Sequence, residues 1–333
     1  MSRKYITFNY PNATSNSETL LTGIRSVRNS CRNGSKDVYI SGFYKENGGI
    51  VTAFVYKGNL KGEGTFHNLN VPSSPGKVVI ATSLYGPNNS FNDNIQVVGN
   101  YLVSGGTTGP IGTIYEGNID GSGTWTDITP LNSIYTIVHS TMGNLAVGNY
   151  TTNELFKGFI YDIRRKTYTD LILPVDNVIT STAYGIWSND SDRKNGCGCY
   201  TIAGGFTVEG STRGRSYIID YCKTKGKFSN FTAYDYNNDS TVLETHFNGI
   251  TGNGECGYNL TGDQISIEAT PGLGFFAKVK REHKGFSKAK WSDIHFPGSL
   301  ITSGNSVDED TVIGVYTTGP PGTQVNGYVS IKK

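Results

Sequence analysis

One short pattern governs the chain: a glycine that closes an apolar run and is followed two residues later by an aromatic ring. It appears in Val38-Tyr-Ile-Ser-Gly42-Phe-Tyr44, Gln96-Val-Val-Gly99-Asn-Tyr101, Leu145-Ala-Val-Gly148-Asn-Tyr150, Thr201-Ile-Ala-Gly204-Gly-Phe206 and Thr311-Val-Ile-Gly314-Val-Tyr316. A degraded copy, Tyr258-Asn-Leu-Thr-Gly262-Asp-Gln264, fills the remaining interval. Successive glycines lie about 50–58 residues apart, and self-similarity at such a period is the mark of a repeat architecture.

Each copy has the same neighbours. A short strand pattern precedes it, at residues 21–24, 81–84, 135–138, 181–184, 244–247 and 301–304. A Gly-flanked apolar run follows, at 53–56, 112–115, 158–161, 216–219, 274–277 and 327–330. A fourth run ends five of the units, at 66–71, 125–128, 168–171, 228–231 and 291–294. These runs are rich in β-branched and aromatic residues and bounded by Gly, Asn and Pro, so they read as strands. No window has a helical period. The sixth unit has three strands, and residues 4–11 match the missing fourth in kind and position. The predicted fold is all-β: a six-bladed β-propeller of four-stranded blades, one domain over residues 4–333, its last blade completed by residues 4–11. Closing the ring in this way removes the two open edges of a stack. The repeated glycines are expected to let neighbouring blades approach near the axis.

Composition agrees with this reading. The 333 residues include 43 glycines, with 12% aromatic and 17% charged residues, against averages of about 7% Gly and 25% charged. A disordered chain would lack the aromatics, collagen would repeat glycine every third residue, and no stretch approaches the ~18 apolar residues of a membrane span. The formal charge of +2 offers nucleic acid no phosphate-tracking surface, and the densest basic cluster is only Arg25, Arg28 and Arg32. Five cysteines (Cys31, Cys197, Cys199, Cys222, Cys256) leave one or two disulfides and free thiols both open. Eight N-x-S/T sites, from Asn12 to Asn259, barely exceed the roughly six that chance gives so Asn- and Ser/Thr-rich a chain, so they leave secretion undecided. Residues 1–7 lack the apolar centre of a signal peptide. A monomer is expected.

The unit Thr182-Ala-Tyr-Gly-Ile186, Ile202-Ala-Gly-Gly-Phe-Thr207, Gly214-Arg-Ser-Tyr-Ile-Ile-Asp220 and Phe228-Ser-Asn-Phe-Thr232 resembles a HAF-type extracellular repeat. Ala146-Val-Gly-Asn-Tyr-Thr151 with Gly158-Phe-Ile-Tyr-Asp162 is a second copy, without the His that the family places before Gly-Phe. The resemblance implies a propeller and supplies no catalytic motif. In general architecture the chain is also similar to six-bladed fungal cyclases that guide hetero-Diels–Alder reactions, with no shared residue motif.

Aligning the inner strands gives one column: Arg25, Tyr85, His139, Tyr184, Asn248 and Asn305. Period-2 alternation puts His246 and Glu244 on the same face as Asn248. Ligand sites favour such convergence points, so these residues are the candidates for an axial funnel. His139, which titrates near neutrality, would move a proton, Tyr184 would stack or donate, and Arg25 would hold a carbonyl or phenolate. These three form the catalytic set, with Tyr85, His246, Asn248, Asn305 and Glu244 binding the ligand. The same groups could equally bond one another in a water-filled channel.

Inner strands supply one carboxylate, Glu244, which argues against paired-acid hydrolysis. No nucleophile elbow is present, and the carboxylate-rich ligand set of a metal site is missing, so no metal or cofactor is expected. Two readings survive. In one, the funnel binds a small organic molecule and acts by positioning as a cofactor-free isomerase or cyclase. In the other, the protein is a lectin-like or adhesive module binding glycans, with exposed Trp125, Trp187 and Trp291 stacking on sugars. Loops at 28–36, 87–94, 141–144 and 189–198 differ between units, which favours one axial site and hence the first reading.

Overall fold

The computed structural model describes residues 2–11, 13–14, 17–27, 36–46, 49–90, 94–105, 109–153, 155–189, 198–254, 256–267, 272–319 and 324–333. Arg28, Arg32, Cys31, Cys197 and much of the loops at 28–36 and 189–198 lie outside them.

The chain is all-β. Strand β1 (Arg3–Thr7) is followed by the meander β2 (Glu18–Ser26), β3 (Val38–Lys45), β4 (Thr52–Gly58) and β5 (Gly64–Asn68). A second meander comprises β6 (Val79–Asn89), β7 (Ile95–Val103), β8 (Ile111–Gly117) and β9 (Gly123–Ile128). A third comprises β10 (Tyr135–Met142), β11 (Leu145–Thr151), β12 (Phe156–Asp162) and β13 (Thr167–Asp170). In the fourth sheet the first strand is split into β14 (Val178–Ser181) and β15 (Gly185–Ser188). Both pair with β16 (Cys199–Val208), which is followed by β17 (Arg215–Cys222) and β18 (Lys227–Tyr234). The remaining strands are β19 (Val242–Gly252), β20 (Gly257–Ser266), β21 (Leu273–Lys280), β22 (Lys290–Ile294), β23 (Ile301–Asp308), β24 (Thr311–Thr317) and β25 (Asn326–Lys332). They form one eight-stranded sheet with β1, joined between β21 and β23 by the single parallel pair Leu273↔Thr302. Strand β1 lies antiparallel on β25, from Arg3↔Lys332 to Thr7↔Tyr328.

Middle strands are buried on both faces, as the all-buried run of β11 shows, whereas the terminal strands β5 and β13 are largely exposed. The reason is that the apolar clusters are shared between neighbouring sheets or, in the eight-stranded sheet, between its two halves. Val147 and Ile160 of the third pack with Ile202 and Ile219 of the fourth, and Ala203 and Ile218 of the fourth with Phe247 and Phe275 of the next. Leu21, Ile40 and Phe54 of the first sheet pack with Ile313 and Val329 at the far end of the chain, and Phe8 joins them. The inner strands touch in a closed cycle: β2 on β6, β6 on β10, β10 on β15, β15 on β19, β19 on β23, and β23 back on β2. Four-stranded meanders sharing cores around a closed ring of inner strands make a β-propeller.

The repeated glycines have a different cause from the expected approach of neighbouring blades. A Cβ on Gly42, Gly99, Gly148, Gly204, Gly262 or Gly314 would stand 2.2, 2.1, 2.2, 2.0, 1.8 or 1.9 Å from a carbonyl oxygen of the adjacent inner strand. Those carbonyls belong to Leu20, Ser83, Ile137, Thr182, His246 and Ser303. The contact is therefore within a sheet. Two residues beyond each such carbonyl the pairing register breaks. Thr22, Tyr85, His139, Asn248 and Asn305 lie in β-bulges, and Tyr184 lies in the gap between β14 and β15. Bulges bend a strand and re-aim a side chain, here toward the ring centre.

Candidate functional site

The bulged residues meet. Thr22, Tyr85, His139, Tyr184, Asn248 and Asn305 line one cavity of about 300 Å³, together with Leu20, Phe43 and Asp263. A second cavity of about 370 Å³ shares Tyr184, Asn248 and Asp263 with it and runs outward over the fourth sheet and β19, past His246 and Glu244, to Arg215. Five of the six residues in the predicted column thus reach the centre, and His246 and Glu244 stand in the adjoining cavity. Arg25 does not. In the first sheet the bulge falls at Thr22, opposite the pair Leu21↔Gly42, so the strand alignment that selects Arg25 is out of step by three residues.

Arg25 has another setting. It is 8% exposed, its guanidinium stacks 4.9 Å from the Trp187 ring, and Nη1 lies 4.0 Å from Asp308 Oδ1. Its Nε and Nη1 find no hydrogen-bond partner. Burial lowers its pKa, and the Asp308 carboxylate pulls the other way. Nor are the three tryptophans exposed, contrary to expectation: Trp125, Trp187 and Trp291 are each half-buried against a sheet core.

A continuous polar network lines the centre. His246 is held at both nitrogens, with Nε2 2.7 Å from Thr182 Oγ1 and Nδ1 2.9 Å from Asn248 Oδ1. Asn248 Nδ2 donates to Asp263 Oδ2 at 2.7 Å, so Asn248 Oδ1 is the acceptor and His246 Nδ1 carries the proton. Ser303 Oγ donates to Asp263 Oδ2 and the Gly304 amide to Asp263 Oδ1, both at 2.9 Å. Asn305 Nδ2 donates to the Leu21 carbonyl at 2.7 Å, linking the last inner strand to the first. On the other side His139 Nε2 meets Asn149 Oδ1 at 2.5 Å. Its ring is stacked on Tyr184 with centroids 3.8 Å apart, and Tyr85 meets it edge-on at 5.1 Å.

Burial sets the electrostatics. It lowers His139 to about 3 and His246 to about 4, against the help that each gains from its asparagine. Both are neutral at physiological pH. Burial raises Tyr184 to about 12 and Tyr85 further, so both phenols stay protonated and can donate. Asp263 is raised to about 6, chiefly by burial and slightly by the nearby Glu244 charge, while its three hydrogen bonds pull the other way.

Asp263 is the residue that inner-strand reasoning misses. It stands on β20, directly after the repeated Gly262. The residues in the same place after Gly42 and Gly148 are Phe43, which lines the central cavity, and Asn149, which holds His139. A signal was present: the copy containing Asp263 is the one whose Gly-x-aromatic pattern fails. Its consequence is chemical, because Glu244 and Asp263 line one cavity where a single carboxylate is expected. Among the described residues no cluster of three His, Cys, Asp or Glu could hold a metal ion, and no helix is long and apolar enough to cross a membrane.

No family model matches the chain, so the HAF-type resemblance remains a likeness of repeat pattern, and no curated protein matches it. Solved structures similar to it include an α-L-arabinofuranosidase of Fusarium graminearum in complex with an iminosugar inhibitor. The TM-score is 0.48 at 11% identity, over 99% of this chain and 97% of that one. A levansucrase variant of Bacillus subtilis gives a TM-score of 0.44 at 8% identity, over 87% and 91%. One of Bacillus megaterium gives 0.39 at 8%, over 92% and 87%. Such identities speak to fold alone and transfer no residue role. The cyclase or isomerase expected from the sequence does not stand: in the cavity His139 is a weak, stacked and hydrogen-bonded base, and Arg25 is absent from the walls.

Proposed function

We propose that the chain is a six-bladed propeller, a single domain over residues 4–333 with residues 4–11 completing its last blade, and that it binds carbohydrate in the central cleft. The eight-stranded sheet counts as two blades, because one residue pair alone joins its halves. One observation carries the functional reading. Two carboxylates, Asp263 and Glu244, face a cleft that also holds the amide of Asn248 and the ring of Tyr184. A sugar presents hydroxyls that both donate and accept, around a ring with an apolar face. Carboxylate and carbonyl oxygens accept from hydroxyls, and a tyrosine offers an aromatic surface with a polar tip. A few placed polar groups against an aromatic wall are the usual make-up of a small-ligand site.

In this reading Tyr184, whose ring is braced by His139 and His246, donates its phenol hydroxyl to the sugar, Glu244 and Asp263 accept from sugar hydroxyls, and Asn248 and Asn305 fix their neighbours. His246 and His139 are positioning residues that brace the wall. Titration calorimetry against neutral mono- and disaccharides tests it. One sugar should bind per chain, Tyr184→Ala should weaken it at least about tenfold, which is the loss of roughly 1.4 kcal/mol, and Glu244→Gln should weaken it less. Binding that is indifferent to both substitutions would place the sugar elsewhere and end the proposal.

A further inference from the structure

The central cleft continues to the rim. Its second cavity ends at Arg215, and Arg215 also forms one wall of a third cavity, of about 290 Å³, on the outside of the fourth sheet. That outer cavity is lined by Asp235, Asn237, Asn238, Ser287 and Trp291 among others. Three compartments therefore adjoin one another, the first two sharing Tyr184, Asn248 and Asp263 and the last two lying on either side of Arg215. On the other side of the centre a contact crosses the ring. Arg25 on β2 stacks on Trp187 of β15, although β2 adjoins β6 and β23 while β15 adjoins β10 and β19. This contact spans the middle of the ring.

We infer that the groove takes a linear neutral oligosaccharide, one chain end seated at the axis and the following units laid outward past Arg215 to the rim. The inference rests on the carbohydrate reading of the central cleft. Among the described residues, a contact across the ring on one side of the centre and a cavity running outward on the other suit a seated chain end better than the middle of a polymer. Charge selects the class. The Arg215 guanidinium is matched by Asp235, with Nε and Nη2 at 3.0 and 2.8 Å from its two oxygens, so it offers no net positive charge to a uronate. Glu244 and Asp263 repel anions further in. The outer lining carries amides, hydroxyls and aromatic and aliphatic side chains beside the one further charge of Lys288, so the two inner carboxylates decide against anions. Asn237 and Asn238 are exposed and held at φ 49 and 53 in a short turn, Tyr236–Asn238.

The test is calorimetry with cello-, xylo- and arabino-oligosaccharides, from the monosaccharide to the hexasaccharide. In at least one series affinity should rise at least tenfold with length. The double variant Asn237→Gly/Asn238→Gly, whose left-handed backbone glycine adopts freely, should cancel that rise and leave monosaccharide affinity unchanged. Arg215→Gln should weaken the binding of long chains, and Tyr184→Ala should abolish binding at every length. Trp291 gives a second readout: a fluorescence change lost in Trp291→Phe should accompany long chains and not monosaccharides. Monosaccharide binding with no dependence on length would overturn this inference and leave the central site intact. Tighter binding of uronate oligosaccharides than of neutral ones would overturn the charge assignment. Absence of binding at every length would overturn both.

Discussion

Three titratable side chains at the centre are displaced by the same cause in opposite senses, and their pH signatures separate. The folded pKa of His139 and His246, about 3 and 4, lies below the ordinary ~6.5 of histidine. The stability they contribute is complete above that value and is lost as pH falls toward the folded values. Asp263 is the reverse. Its folded pKa of about 6 lies above the usual ~3.9, so its contribution is complete in acid and is lost as pH rises through the folded value. Around pH 5 the unfolded chain holds a proton on each imidazole that the folded chain lacks, and the folded chain holds one on Asp263. The net slope from the three groups is that of one proton, with stability falling on acidification. In Asp263→Asn the offset vanishes, and the slope should steepen by about 1.4 kcal/mol per pH unit. Urea midpoints between about pH 4.5 and 5.5, compared for the two proteins, measure it, and parallel slopes would refute the burial of Asp263. At this scale the sequence was partly legible. Tyr85, His139, Tyr184, Asn248 and Asn305 could be aligned strand against strand, because each stands two residues beyond the inner-strand carbonyl that faces its repeated glycine. Arg25 was misplaced because the first inner strand was aligned three residues too far along, its bulge falling at Thr22, a residue whose type gives no sign of it. Asp263 was invisible to any argument that looked for site residues on inner strands only.

At the scale of the strand, the glycine and the bulge are one device. The inner-strand carbonyl leans over the second strand, and only a hydrogen at that position leaves it room. The third strand completes the device in most copies. The Phe159 and Phe275 rings lie against Gly148 and Gly262, and the Tyr217 and Tyr328 hydroxyls donate to the Thr182 and Ser303 carbonyls at 2.6 and 2.9 Å. In the second sheet the position opposite Gly99 is Thr113, whose hydroxyl turns to the Thr126 carbonyl instead. Strand positions were readable from alternation and β-branched content, whereas the reason for the glycine was not, since close approach within a sheet and between sheets leaves the same residue in the sequence. Gly262→Ala and Gly314→Ala should each cost about 3 kcal/mol or more, the upper end of overpacking. Gly272→Ala, where the nearest atom to the new Cβ is 3.5 Å away, should stay within about 0.5 kcal/mol. Urea unfolding distinguishes them. Equal small losses at all three would mean that the inner-strand carbonyls can move aside, and that the bulges are not held by the glycines.

For the whole molecule the decisive element is the first one. Strand β1 covers the edge of β25, Arg3 stacks 4.7 Å from Phe276, Tyr5 meets Phe296 at 5.9 Å, and Thr7 bonds the Tyr316 hydroxyl at 2.8 Å. One residue beyond it, Phe8 enters the core shared by the first and last sheets and meets Tyr56 at 4.9 Å. The segment thus closes an edge and seals a seam at once. An exposed, hydrogen-bond-competent edge pairs with other chains, so removing residues 2–8 should do two separable things. The melting temperature should fall because the Phe8 contacts are lost, and sedimentation should show dimers or larger species formed through β25. A synthetic peptide of residues 2–11 added in trans should reverse both, whereas Phe8→Ala in the intact chain should reproduce the loss of stability without the association. If the truncated chain keeps the intact protein's melting temperature and size, the ring does not depend on its first strand. The inner residues would then be held at the centre by the shared cores alone.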